Sequence, residues 1–234
     1  MSALTLTRTA PSNLLSAFRS TSLVASYPAG RVSWPYQMAK RALDMSVAAT
    51  MLVALTPLFA IVALLIKLGS RGPVFFSQKR VSKNGREFSC YKFRSMVVNA
   101  EKLKADLLKK NDHKDSITFK MKRDPRVTWI GRIIRKTSID ELPQLWHVLT
   151  GDMSLVGPRP AVVAEVAKYT SMQRQRLAVA PGLTCIWQVS GRGNLPFDRQ
   201  VELDIEYIRR QSFLFDIALI LKTVPAVLFG RGAY

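Results

Sequence analysis

MSVAATMLVALTPLFAIVALLI, residues 45–66, is a run of 22 residues without a charged side chain, and the rest of the chain is read outward from it. Coiled as an α-helix it would be about 33 Å long, close to the thickness of a bilayer's hydrocarbon core. A helix buried inside a soluble domain is rarely that long and apolar on every face. Thr56-Pro57 falls near its middle, where proline removes a helical hydrogen bond and favours a kink. Both flanks are basic, with Lys40 and Arg41 before the run and Lys67 and Arg71 after it. Positive charge draws both ends to the cytoplasmic side. A helix that enters, bends at Pro57 and returns to the same face satisfies both observations, and the Thr56 hydroxyl is placed to serve a carbonyl freed at the bend. A spanning helix is the alternative that these residues leave open.

Around this segment the 234 residues form a strongly basic chain, with 35 Lys and Arg against 16 Asp and Glu, a formal charge of +19. Residues 71–136 alone hold 19 cations against 6 carboxylates. Such a block directly after a membrane segment is expected to lie against anionic headgroups, each cation contributing on the order of 1 kcal/mol. The charge also raises a membrane-tethered nucleic-acid binder as a rival. No nucleic-acid motif accompanies it, and lipid and substrate phosphates already supply the anions, so no nucleic-acid partner is expected. Two cysteines, Cys90 and Cys185, make no disulfide framework and suit a reducing compartment; two histidines, His113 and His147, exclude a His-rich metal site.

Residues 1–36 are rich in Ser, Thr and Ala, with three Arg and no acidic residue. Arg19 interrupts the one modest apolar stretch there, which argues against a secretory signal. A flexible extension is the expectation, with an organellar transit peptide as the other compositional reading. Short strands are expected at Val74-Phe75-Phe76 and from Phe88 to Phe93, around the turn Lys83-Asn84-Gly85. Residues 102–114 read as an amphipathic helix, with Ala100, Leu103, Leu107 and Leu108 at helical spacing. The apolar stretch 213–229 is interrupted by Asp216, Lys222 and Pro225, which suits a helix lying in the membrane interface.

The candidate chemistry lies in RKTSIDELPQLWHVLTGDMSLVGPRP, residues 135–160. Leu142, Leu145, Trp146 and Leu149 have helical spacing and Gly151 supplies a stop. A capping box on Ser138 and Glu141 would put Pro143 at the fifth helical position. A start near Asp140 leaves it in the first turn instead. Asp140 and Glu141 then stand at the positive end of a helix beside Arg135 and Lys136, and both influences favour ionised carboxylates. Charges that merely complement the helix dipole are the bland alternative. Gly157-Pro158-Arg159-Pro160 follows, a stiff loop whose glycine admits close backbone approach and whose arginine can grip a phosphate with two hydrogen bonds. Carboxylates among cations point to Mg2+-assisted phosphoryl transfer, in which an Asp can be the nucleophile.

Several ordered motifs are similar to those of the bacterial sugar transferases, monotopic polyprenyl-phosphate sugar-phosphate transferases. They are KRALD (40–44), the Pro57-centred helix, KFRSM (92–96), DPRVTWIGRIIRKTSIDELPQLWHVLTGDMSLVGPRP (124–160), PGLTCIWQVSGR (181–192) and ELDIEYI (202–208). The resemblance covers roughly 38–234 and is nearest to short members that initiate exopolysaccharide synthesis with galactosyl or glucosyl phosphate.

It implies a mostly helical α/β monotopic membrane protein of the bacterial inner membrane, with its site on the cytoplasmic face. The parts would be an extension at 1–36, a re-entrant helix at 37–70 and a transferase domain at 71–234 with interfacial helices. The implied substrates are a UDP-sugar and undecaprenyl phosphate. Asp140 would be the nucleophile, with Glu141 either a magnesium ligand or an aid to the acceptor. Asp204 is the candidate third carboxylate at the ion, with a surface helix charge as the alternative.

Lys92, Arg94, Arg135, Arg159 and Arg192 are candidates for phosphate contacts, with Pro158 and Pro160 stiffening the loop. Lys92 and Arg94 share a face by two-residue alternation, although Lys92 suits lipid contact equally and Arg135 a structural pair with Asp140. Trp146 and Trp187 suit a core or interface role better than stacking on a base. The family often has Ser-Pro at the helix break; Thr56-Pro57 keeps the hydroxyl. A homodimer and other polysaccharide-assembly proteins are the further partners the resemblance admits, and a catalytically inactive scaffold of such an assembly complex is the rival to an enzyme.

Overall fold

The computed structural model describes residues 32–107, 121, 124–191 and 195–229; most of the 1–36 extension, Leu108 and Arg192 lie outside them. Described residues are mainly helical, with a three-stranded antiparallel sheet and a two-stranded parallel one. The apolar run divides at Leu55 into α1, Trp34–Ala54, and α2, Thr56–Gly69, bent by 59°. Neither helix alone is long and apolar enough to cross a membrane, whereas the bent pair is so by length and composition. Pro57 lies in the first turn of α2, where its missing N–H is least costly. Thr56 Oγ1 donates to the Leu52 carbonyl at 2.9 Å, the use expected of that hydroxyl. One face of α2 packs Val62 and Ile66 against Phe93, Ile130 and Ile134, while Ile61, Leu64 and Leu68 stay exposed.

Strands β1, Phe75–Val81, and β2, Glu87–Phe93, form the expected hairpin. Its turn places Asn84 at φ 58°, a left-handed conformation that asparagine tolerates better than most residues. Register sets Phe76 opposite Lys92 and Gln78 opposite Cys90, so these four share one face. Helix α3, Ala100–Leu107, covers the described part of the amphipathic stretch. Helix α4, Trp129–Lys136, starts at Thr128, whose hydroxyl accepts from Gly131 N. It buries Ile130 and Ile134 and exposes Trp129 and Ile133.

A 3-10 turn, Ile139–Gln144, leads into α5, Leu145–Thr150, which ends at Gly151 with φ 85°. This corrects the expected helix start near Asp140. Pro143 has no N–H to give, and the chain tightens into a 3-10 turn before α-helical bonding begins. Ser138 is left-handed at φ 56° and makes no side-chain cap, so no capping box forms. The open edge of β2 is covered from this side: Tyr91 N donates to His147 Nε2 at 3.1 Å, and the two rings stack. Burial holds the His147 pKa below the usual value, keeping the neutral ring that this acceptor role needs.

Strand β3, Ser154–Val156, pairs in parallel with β5, Gly182–Thr184, and β4, Ala161–Val162, adds to the free edge of β1. Two glycines let the loops after β3 and before β5 cross in contact: Gly182 N donates to Pro158 O, and a Cβ on Gly182 would lie 2.0 Å from Gly157 N. The close approach at Gly157 is therefore to protein backbone, not to a ligand.

Short helices α6, Val163–Val166, α7, Ser171–Arg174, and α8, Ile186–Ser190, connect to α9, Phe197–Arg210. The last helix, α10, Phe213–Phe229, runs unbroken through Pro225. Asp216, expected as an interruption, is 1% exposed and paired with Lys40 at 2.8 Å, so its charge faces inward. The main core joins Ala48 of α1 with Leu145, Val148, Leu155, Val156, Tyr207 and Leu219.

Candidate active site

Asp140 and Glu141 stand on the 3-10 turn beneath a left-handed Ser138. That conformation costs roughly 1–2 kcal/mol for a residue with a side chain and persists where packing on both sides dictates it. The two carboxylates meet different surroundings. Glu141 is gripped by Lys92, with Nζ 2.5 Å from Oε1, and by Arg159, whose Nη2 lies 2.6 Å from Oε1 and Nη1 3.3 Å from Oε2. Burial opposes ionisation of Glu141, but the charges of Arg159 and Lys92 outweigh it and hold its pKa well below the ordinary carboxylate range.

Asp140 is 8% exposed and its carboxylate makes no side-chain hydrogen bond or ion pair among the described residues. Burial, then the neighbouring Glu141 charge, push its pKa up to about 6 against the pull of Lys92, Arg135 and Arg159. The expectation that the surroundings favour the ionised form thus stands for Glu141 and is corrected for Asp140, where burial and the Glu141 charge outweigh cations that do not touch it among the described residues.

The remaining candidates separate. Arg159 rides the loop between β3 and β4, with Pro158 and Pro160 buried and their carbonyls accepting from Gly182 N and Arg80 Nη1. Arg135 influences Asp140 through space. Lys92 and Arg94 do not point together: β2 ends at Phe93, so alternation lapses there. Arg94 is buried and donates to Ser70 O and Arg71 O, fastening the chain where it leaves α2. Asp204 is 0% exposed and held by Arg176, Nε at 2.7 Å and Nη2 at 2.6 Å, beside Tyr169 and Phe197. Facing the core from α9, it is not brought to Asp140 and Glu141. Trp187 is in the core with Cys185 and Leu203, and Trp146 is exposed.

Arg80 is the site residue that the motif reading missed. It shares a sheet face with Gln78, Cys90 and Lys92, donates to Pro160 O at 2.9 Å and to Gln78 Oε1 at 2.8 Å, and leaves Nε buried without a partner among the described residues. Burial, with Arg159 next, lowers its pKa, so a second guanidinium waits behind the first. The alternation Gln78-x-Arg80, opposite Phe88-x-Cys90, was the available signal, hidden until the hairpin register was known.

Among the described residues no three His, Cys, Asp or Glu side chains stand close enough to hold one ion. The donor set is a carboxylate pair, which fits Mg2+ in its habit of joining one or two carboxylates to substrate phosphate oxygens.

This arrangement, a buried unpaired carboxylate beside one clamped by two cations, with further positive charge behind, is suited to attack on an anionic phosphorus centre. A family model described as "Bacterial sugar transferase" matches residues 35–230, and the chain belongs to that family. It is 55% identical over 163 residues to "Galactosyl transferase CpsE" of Streptococcus agalactiae serotype III, covering 69% of this chain and 36% of that protein. With "Exopolysaccharide production protein ExoY" of Sinorhizobium fredii it shares 40% identity over 200 residues, 84% of this chain and 88% of that one. With "Undecaprenyl-phosphate glucose phosphotransferase" of Komagataeibacter xylinus the identity is 44% over 206 residues, 83% of this chain and 37% of that one. The match thus spans most of one relative and little more than a third of the other two.

Proposed function

We propose that the protein transfers a sugar 1-phosphate, galactosyl or glucosyl, from a UDP-sugar to undecaprenyl phosphate and so initiates exopolysaccharide synthesis. The observation that carries this reading is the unequal dyad: Glu141 is paired with Lys92 and Arg159, while Asp140 is buried and has no side-chain partner among the described residues. At pH 7–8 a carboxyl with a pKa near 6 is mostly ionised, yet poorly solvated, which suits a nucleophile.

Asp140 Oδ attacks the β-phosphorus of the donor. A new P–O bond forms as the bond to the bridging oxygen breaks, and its electron pair leaves with UMP. The chain holds the sugar as an aspartyl phospho-sugar. An oxygen of undecaprenyl phosphate then attacks the same phosphorus, the acyl-phosphate bond breaks, and Asp140 is regenerated. Arg159 and Lys92 are the cations nearest the reacting charge, with Arg80 behind them, and they offset repulsion between an anionic nucleophile and an anionic diphosphate. Mg2+, when bound, would neutralise diphosphate charge, with Asp140 and Glu141 as the carboxylates to hold it.

The α1–α2 pair serves as a re-entrant anchor in the bacterial inner membrane, keeping the site on the cytoplasmic face where a soluble donor and a lipid acceptor meet. UMP release by purified protein with Mg2+, undecaprenyl phosphate and a panel of UDP-sugars tests the reading. Release with one sugar, lost in Asp140→Asn, is the expected result. Wild-type rates in Asp140→Asn would overturn it.

A further inference from the structure

The KRALD motif takes no part in the chemistry above, yet Lys40, Arg41 and Asp44 all hydrogen-bond one stretch of backbone, 148–156, against whose side chains Leu43 also packs. Arg41 donates from Nη1 to Val148 O at 2.6 Å and from Nη2 to Leu149 O at 2.7 Å, the carbonyls at the end of α5. Asp44 Oδ1 accepts from Leu155 N at 2.9 Å within the core. Lys40 Nζ lies 3.0 Å from Val156 O and 2.8 Å from Asp216 Oδ2. The Tyr207 hydroxyl stands 3.0 Å from the same Val156 carbonyl and 2.8 Å from Asp216 Oδ1.

These contacts fall between the two halves of the site. Glu141 lies on the 3-10 turn that leads into α5 and Arg159 on the loop that follows β3, and the ion pair between them closes the stretch 141–159 into a ring. That ring is pinned to one face of α1 at 148–149 and again at 155–156. Movement of α1 against the domain therefore moves the segment that sets the spacing of Glu141 and Arg159. On the ring's side every one of these bonds is made by a main-chain group, three carbonyls that accept and the Leu155 N–H that donates, so the residue types at 148, 149, 155 and 156 give no sign of them.

We infer that Lys40, Arg41 and Asp44 are positioning residues, which make the Glu141–Arg159 geometry depend on how the first helix of the membrane hairpin is seated. The inference rests on the proposed reaction for its catalytic readout only. Its test uses the full chain in phospholipid nanodiscs, with UMP release as turnover and hydrogen exchange along 148–160 as a readout independent of it. Asp44→Ala and Arg41→Gln are expected to lower kcat about 10- to 100-fold, with donor KM within about twofold, since a misplacement near 1 Å is enough for such a loss. Exchange at 154–160 should rise while β1 and β2 stay protected. Asp44→Asn keeps an acceptor for Leu155 N–H and should restore both readouts.

Unchanged kcat in Asp44→Ala and Arg41→Gln overturns the inference, as does a loss in Asp44→Asn equal to that in Asp44→Ala. Exchange that rises throughout the domain also overturns it, by reducing these residues to general stabilisers. If wild-type protein releases no UMP, the proposed reaction fails, and local exchange at 154–160 still decides the role of the motif.

Discussion

Lys92 Nζ lies 2.5 Å from Glu141 Oε1, and its partner is thus the second carboxylate of the dyad, not the first. With Arg159 on the same group, one acid is compensated and its neighbour Asp140 is left to burial. Two consecutive carboxylates acquire opposite pKa shifts, and opposite shifts allow different roles.

The sign of the Asp140 shift has a consequence for stability. Its folded pKa of about 6 exceeds the ordinary 3.8, so the folded state holds this proton more tightly than the unfolded state. Stability from this group is greatest at acid pH and is lost as pH rises from about 4 through 6. Asp140→Asn should therefore be more stable than wild type at pH 8, by on the order of 2 kcal/mol. Thermal unfolding at pH 8 and pH 4.5 measures this, the gap shrinking at the lower pH.

Arg159→Lys retains the charge and loses the two-point grip on Glu141. Turnover should fall about 100-fold, with the fold intact by circular dichroism. A loss under threefold would mean that charge alone suffices at this position.

Asp204 answers to a different test. Asp204→Asn leaves the Arg176 guanidinium buried without its counter-charge, at a cost of roughly 3 kcal/mol. Arg176→Met combined with Asp204→Asn should regain much of that stability. The magnesium concentration for half-maximal turnover should be the same as in wild type; an increase would return Asp204 to the ion.

Pro57→Leu restores a backbone donor at the α1–α2 bend and should favour one continuous helix. In membrane vesicles, cysteines placed at Ser33 and Ser171 should be labelled from the same side in the wild-type background. In Pro57→Leu a fraction should be labelled from opposite sides. Opposite-side labelling without the substitution would establish a spanning helix.

Much of the architecture was legible because it depends on local rules. Proline placement marked the bend, and Asn84-Gly85 marked the hairpin turn. Gly151 marked the end of α5. Local rules failed where a partner distant in sequence decided the outcome. Alternation joined Lys92 to Arg94, but the chain leaves the sheet between them and sends Arg94 to the carbonyls after α2. Asp216 looked like an interruption of an apolar helix until Lys40 and Tyr207 were found beside it.

Composition and order of residues determined the basic charge, the bent apolar helix pair, the adjacent carboxylates and the stiff arginine loop, since each follows from a few neighbouring residues. Tertiary structure alone decided which carboxylate is neutralised, that Arg80 backs the site, that Asp204 belongs to the core and that KRALD grips the backbone of 148–156. Ion pairing and burial depend on which side chains long-range packing brings within about 4 Å, and spacing along the chain does not carry that distance.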